Sequence, residues 1–168
     1  GCYAESRFLE LIKDAEEVYP QSSRPQFKFN CLGMALKKIE YIDYDELGIV
    51  SESDKRDVNK MADAIVDYVN DNKCNDILNA VKVGDKTAAG NIAVTGKQYF
   101  VALRVNESLI NGCGFHIIAQ TNTGTWINKH GQELIQRLGY IDPDIDKQPC
   151  WYNAKDDYYH DSDTVYIL

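Results

Sequence analysis

A chain of 168 residues in which 44% are hydrophobic can bury one core of its own and needs no second domain. Its 26 acidic side chains outnumber 18 basic ones, giving a net charge of −8, and the basic residues are scattered, which argues against a nucleic-acid partner. No apolar run approaches the ~20 residues needed to span a bilayer, so no transmembrane segment is expected.

Gly1 in place of an initiator methionine reads as an expression scar or as the start of a processed chain, and Cys2 behind it reads as an ordinary terminal thiol, with a lipid-anchor position as the alternative. From Glu5 to Val18, Phe8, Leu9, Leu11, Ile12 and Ala15 form one broad apolar face, which predicts an amphipathic helix that stops before Pro20. After a loop at Gln21–Pro25, the alternation in Arg24–Phe29 predicts an extended approach, and Leu32, Ala35, Leu36 and Ile39 recur at helical spacing. A helix is therefore expected from about Cys31 to Ile39. Tyr41–Leu47 reads as a looser segment. Ser51–Asp54 supplies cap chemistry for a helix carrying Val58, Met61, Ala62, Ile65, Val66 and Val69, and Asn70–Lys73 is expected to break it. Asp76–Val81 reads as a short helix ending near Gly84.

From Gly96 onward the pattern becomes β-like. Tyr99–Val105 predicts a buried strand, followed by turn chemistry at Asn106–Ser108. Gly112–Gln120 predicts a strand carrying His116, and Thr121–Gly124 followed by Thr125–Lys129 reads as a hairpin with Gly124 in the left-handed position. The tail Lys155–Asp163 reads as a solvated connection that leads to a last strand at Thr164–Leu168. No repeat or low-complexity segment is present.

Cys31 is the residue with the strongest chemical prospects, because the first turn of a helix offers free N–H groups and a positive dipole end that favour a thiolate. A nucleophilic cysteine also needs a base held by a third group, and His116 is the candidate base. With Asn122–Gly124 as the hairpin loop, Thr121 opposes Thr125 and Ile118 opposes Asn128, so His116 and Asn128 share a face. The same register sets His130 across from His116 as a rival orienting residue. Cys113 should face away from His116. The other cysteines, at 2, 74 and 150, form no CxxC pair with these, and only three histidines are present, which argues against a zinc site. No cofactor is expected.

Phe29-Asn30-Cys31-Leu32-Gly33-Met34 resembles the F-D-C-S-G-L box of NlpC-type cell-wall peptidases, a papain-like family. Gly114–Ile118 followed by Gly124–Asn128 resembles their histidine strand, turn and third-residue strand, with Asn128 at the family's spacing of twelve after the histidine. Trp126–Gly131 also resembles the W-S-H-K-P-G box of uncharacterised bacterial papain-like proteins. The resemblance covers less than a fifth of the chain. It departs at Leu32, where the family has serine, and in a longer Cys-to-His spacing that implies a helical insertion at about residues 51–83.

The resemblance implies an α+β papain-like domain with helices leading and an antiparallel sheet following. It implies a thiol amide hydrolase in which His116 activates Cys31, Asn128 holds the imidazole, and peptidoglycan stem peptide or another peptide amide is cleaved. Gln26 is a candidate second oxyanion donor beside the Cys31 N–H, and Trp126 a candidate cleft residue. A secreted or envelope location would follow, with a cytoplasmic one as the alternative. Protein cleavage, deamidation and acyl transfer use the same dyad, and a non-catalytic binding module on the same fold, with Cys31 packed, is the alternative from a different class.

Overall fold

The computed structural model describes residues 28–73, 77, 79–93, 98–107, 114–130, 135–145, 150–151 and 163–168. The expected Glu5–Val18 helix, the Gln21–Pro25 loop, Cys2, Gln26, Cys113 and most of the acidic tail lie outside the described residues. Five α-helices are described: α1 (Cys31–Ala35), α2 (Tyr44–Leu47), α3 (Glu52–Lys55), α4 (Val58–Tyr68) and α5 (Lys86–Gly90). The strands are β1 (Lys82–Gly84), β2 (Val101–Val105), β3 (Phe115–Gln120), β4 (Trp126–Asn128), β5 (Gln136–Gly139) and β6 (Val165–Ile167). They form one sheet in the order β1-β6-β2-β3-β4-β5, with every neighbouring pair antiparallel. The chain is thus an α+β domain.

Residue alternation along the central strands divides the interior into two layers. Val101, Leu103, Val105, Ile117, Ala119 and Ile127 face a first core completed by α1 and by Val58, Met61, Ala62 and Ile65 of α4. Ala102, Ile118, Trp126 and Tyr166 face a second, smaller core closed by Ala89 of α5, Cys150 and Trp151. Both faces of β2 are covered, so all five of its residues, Arg104 among them, are buried, as expected of the strand read at Tyr99–Val105.

Helix α1 ends sooner than its apolar period suggests. Leu36 N–H donates to the Leu32 carbonyl at 2.9 Å and Lys38 N–H to the Gly33 carbonyl at 2.8 Å, while Lys37 takes φ +60°. This left-handed turn sends the chain back over α1. The looser segment contains a short helix instead, α2, closed by a capping box between Asp43 and Glu46.

Ser51 caps α3 rather than the longer helix, and α4 has its own cap in Asp57, whose Oδ1 accepts from Asn59 N–H at 2.9 Å and Lys60 N–H at 3.2 Å. Asp57→Ala is expected to lower stability by about 1 kcal/mol, measurable as a shifted urea midpoint with unchanged slope. Asn70–Lys73 does not break the helix but continues it as a π-helical turn, Val69–Lys73. Residues 79–81 are not helical, and the chain enters β1 where the short helix was expected to end. The 51–83 span is therefore not wholly helical, because its last residues pair with β6 in the sheet. Among the described residues, no helix is long and apolar enough to cross a membrane.

Candidate functional site

Asn30 defines the start of α1 through three buried hydrogen bonds. Its Oδ1 accepts from Gly33 N–H at 3.0 Å and Ile42 N–H at 3.1 Å, and its Nδ2 donates to the Ile42 carbonyl at 2.6 Å. Cys31 therefore occupies the first helical turn, as its sequence context predicts. The thiol environment differs from that expectation. Cys31 is only 6% exposed, and burial pushes its pKa up to about 11. Backbone hydrogen bonds at Ile117 and Leu32 and the Lys129 ammonium oppose that shift without cancelling it, while the Asp43 carboxylate adds to it. A helix of five residues has a small dipole, and Asn30 already occupies one of its free N–H groups.

His116 and Asn128 are brought together. The hairpin has the anticipated register, with Ala119 opposite Ile127 and Gln120 opposite Trp126, and Gly124 takes φ +86° in its loop. His116 Nε2 lies 3.0 Å from Asn128 Oδ1, and Asn128 Nδ2 donates to Gln136 Oε1 at 3.4 Å. With the amide oxygen accepting, the ring proton sits on Nε2. His130 stacks on His116 at a centroid distance of 4.3 Å and 5° between planes, and Trp151 meets the His116 ring edge-on at 5.8 Å. Burial and the nearby His130 lower the His116 pKa well below its ordinary value, although the Asn128 bond favours the charged form.

The structure does not bring Cys31 to this pair. Cys31 packs in the first core with Ile117 and Ala119, whereas His116 belongs to the alternate set of β3 residues and lies with Ile118 against the Trp151 layer. The thickness of β3 separates thiol from imidazole. Trp126 is 5% exposed and packed in the second core, so it fills that layer rather than lining a cleft.

Three further residues shape the two faces. Lys129 is fully buried, donates to the Phe29 carbonyl and sits 4.6 Å over the Phe29 ring, tying β4 to the entry of α1. Its parity with Ile127 in the hairpin could have placed it on the Cys31 face. Arg104 stands opposite His116 in the β2–β3 register. Its Nε donates to Thr164 Oγ1 at 2.7 Å and its guanidinium to the carbonyls of Pro143 and Asp144 at 3.3 and 3.1 Å, 5.2 Å over the Trp151 ring. Trp151 Nε1 donates to the same Pro143 carbonyl at 2.7 Å. The one charge in the β2 run marks where a polar cluster joins the apolar second core.

A groove of about 490 Å³ lies outside both cores, between α2 and α4. Asp45, Glu46, Asp54, Asp63, Asp67 and Asp71 line it, against a single lining cation, Lys60. Asp63 and Asp67 are one helical turn apart, a like-charge spacing that costs a few tenths of a kcal/mol in an isolated helix. Among the described residues, no group of three or more His, Cys, Asp or Glu side chains is placed to hold a metal ion. No protein-family model matches this chain, and none of the curated proteins or solved structures matches it either.

Proposed function

We propose that the chain is a non-catalytic binding module, in which Cys31 is a packed core residue and the acidic groove between α2 and α4 receives a lysine- or arginine-rich polypeptide segment. The observation that carries the first half is the placement of Cys31 and His116 on opposite faces of β3. A thiol raised to about 11, with His116 on the other face of β3, is a poor nucleophile near neutral pH. The partner class follows from the groove, where six carboxylates, one of them (Asp63) paired with Lys82 at 2.8 Å, outnumber the Lys60 ammonium and give a negative concave surface on a chain of net charge −8.

Titration with a lysine-rich decapeptide, followed by amide chemical shifts, tests this reading. Binding should move α2 and α4 resonances, weaken several-fold between 50 and 300 mM salt, and be lost in Asp63→Asn/Asp67→Asn. A glutamate-rich peptide should not bind. Shifts elsewhere, or affinity unchanged in the double variant, would contradict the groove assignment.

A second reading keeps the papain-like fold and the thiol hydrolase, favoured by the His116–Asn128 bond at the expected spacing and by Cys31 in the first turn of α1. It carries peptide or cell-wall peptide amides as substrates, Gln26 as an oxyanion donor and an envelope or secreted location. It requires a conformation in which His116 crosses to the α1 face of β3. Release of fragments from peptidoglycan or from a protein panel, absent with Cys31→Ala, would establish this reading in place of the first.

A further inference from the structure

The binding-module reading makes no use of the second face of the sheet, which holds a charge-sensitive arrangement. His116 is 2% exposed and lies flat against His130, and the turn carrying Cys150 and Trp151 closes over it. We propose that the stacked His116–His130 pair is an acid-operated latch: when His116 takes up a proton against His130, the 141–145 loop and the 150–151 turn lift from the sheet while the first core stays folded.

Among the described residues, several groups on this face bear on the latch. From β2, Arg104 opposes His116 and already places one buried cation over Trp151, so a new positive charge on the imidazole would meet a like charge across the register. Among the described residues, β4 contributes the neutral Asn128 and β6 the phenol of Tyr166. The 150–151 turn supplies Cys150, whose thiol burial pushes up to about 12, so it stays neutral throughout the acid range. The 141–145 loop supplies two carboxyls. Asp142 pairs with Lys86 at 2.5 Å, which holds its pKa below the usual carboxylate range, whereas burial raises Asp144, so protonation of Asp144 favours the closed layer and works against the latch.

The layer is held mainly by neutral acceptors. Trp151, Thr164 and Arg104 all donate to the Pro143 carbonyl, so their bonds do not weaken through titration of the acceptor. Of the groups named, His116 is the one whose side chain, once opening exposes it to water, ordinarily takes up a proton nearest neutral pH.

The sign is as follows. A histidine whose pKa is lower in the closed state than in the open state is protonated preferentially on opening, so closure is favoured at neutral pH and is lost as the pH falls below about 6.5 toward the closed-state pKa. Each imidazole held neutral on closure raises the opening constant about tenfold per pH unit in that window.

Both tryptophans of the chain, Trp126 and Trp151, lie in this layer, so their fluorescence and near-ultraviolet dichroism report on it directly. Between pH 7.5 and 4.5 the full chain should lose the tryptophan signal while far-ultraviolet dichroism and slow amide exchange in β2 and α4 persist. His116→Gln keeps a donor for Asn128 and should flatten the pH dependence by about tenfold per unit, whereas Asp144→Asn, which removes a carboxyl that opposes acid opening, should leave it at least as steep. A tryptophan signal constant over this range, or a pH dependence equal in wild type, His116→Gln and His130→Gln, would overturn the latch. Should the variants not fold, the wild-type imidazole resonances decide: titration of His116 in step with the tryptophan change supports the latch, and titration without that change contradicts it.

Discussion

Arg104→Ala is expected to destabilise the chain by about 3–5 kcal/mol, the largest effect of any single substitution considered. The truncation leaves Thr164 Oγ1 and the Asp144 carbonyl without the bonds Arg104 gives them, and removes the stem that lies over Trp151. For a chain of this length each kcal/mol shifts the midpoint of thermal unfolding by roughly 2–4 °C, so a fall of about 6–20 °C is expected by circular dichroism. Arg104→Met retains most of the stem and removes the charge, and should recover roughly half of the loss. Equal midpoints for wild type and Arg104→Ala would show that the second layer contributes nothing to stability.

Gly33→Ala is expected to disrupt the region around Cys31 without touching the thiol. A Cβ at position 33 would lie 2.2 Å from the Glu40 carbonyl oxygen and 2.9 Å from that of Lys38, both backbone atoms that cannot swing aside. The return of the chain over α1 would have to open, at the upper end of the 1–3 kcal/mol typical of overpacking or beyond it. The expected sign of opening is faster alkylation of Cys31 at neutral pH together with a lower urea midpoint. Gly48→Ala is the control for an added methyl group, since nothing lies within 4 Å of that position, and only its left-handed φ of +72° is disturbed.

The β-hairpin was the most legible part of the chain. Thr121, Gly124 and Thr125 determine a loop type, the loop type determines the register, and the register places His116, Asn128 and His130 on one face without any tertiary information. Helix α4 was legible from its apolar stripe, although Asp57 rather than Ser51 caps it. Strands β1 and β5 were not legible, because Lys82-Val83-Gly84 and Gln136-Arg137-Leu138-Gly139 lack both an alternating pattern and β-branched runs, and they exist by pairing with stronger neighbours.

The relation of α1 to β3 was the decisive feature that local pattern could not supply. Which face of a strand a helix covers depends on long-range contacts. Here these are the Tyr99 hydroxyl bond to the Ala35 carbonyl at 2.7 Å and the Lys129 bond to the Phe29 carbonyl. Those contacts hold α1 over Ile117 and Ala119, and one residue of parity then sends His116 away. Helix position alone likewise overstated the reactivity of Cys31, since desolvation outweighs the field of so short a helix.

The most direct test is the rate of alkylation of Cys31 by iodoacetamide as a function of pH, read by mass spectrometry of the peptide containing that residue. A packed thiol on the face opposite His116 should label slowly from pH 5 to 9, with a rate that climbs only toward pH 11 and does not respond to His116→Gln. Fast labelling below pH 7, abolished by His116→Gln, would mean that sulfur and imidazole meet in solution and would contradict the account.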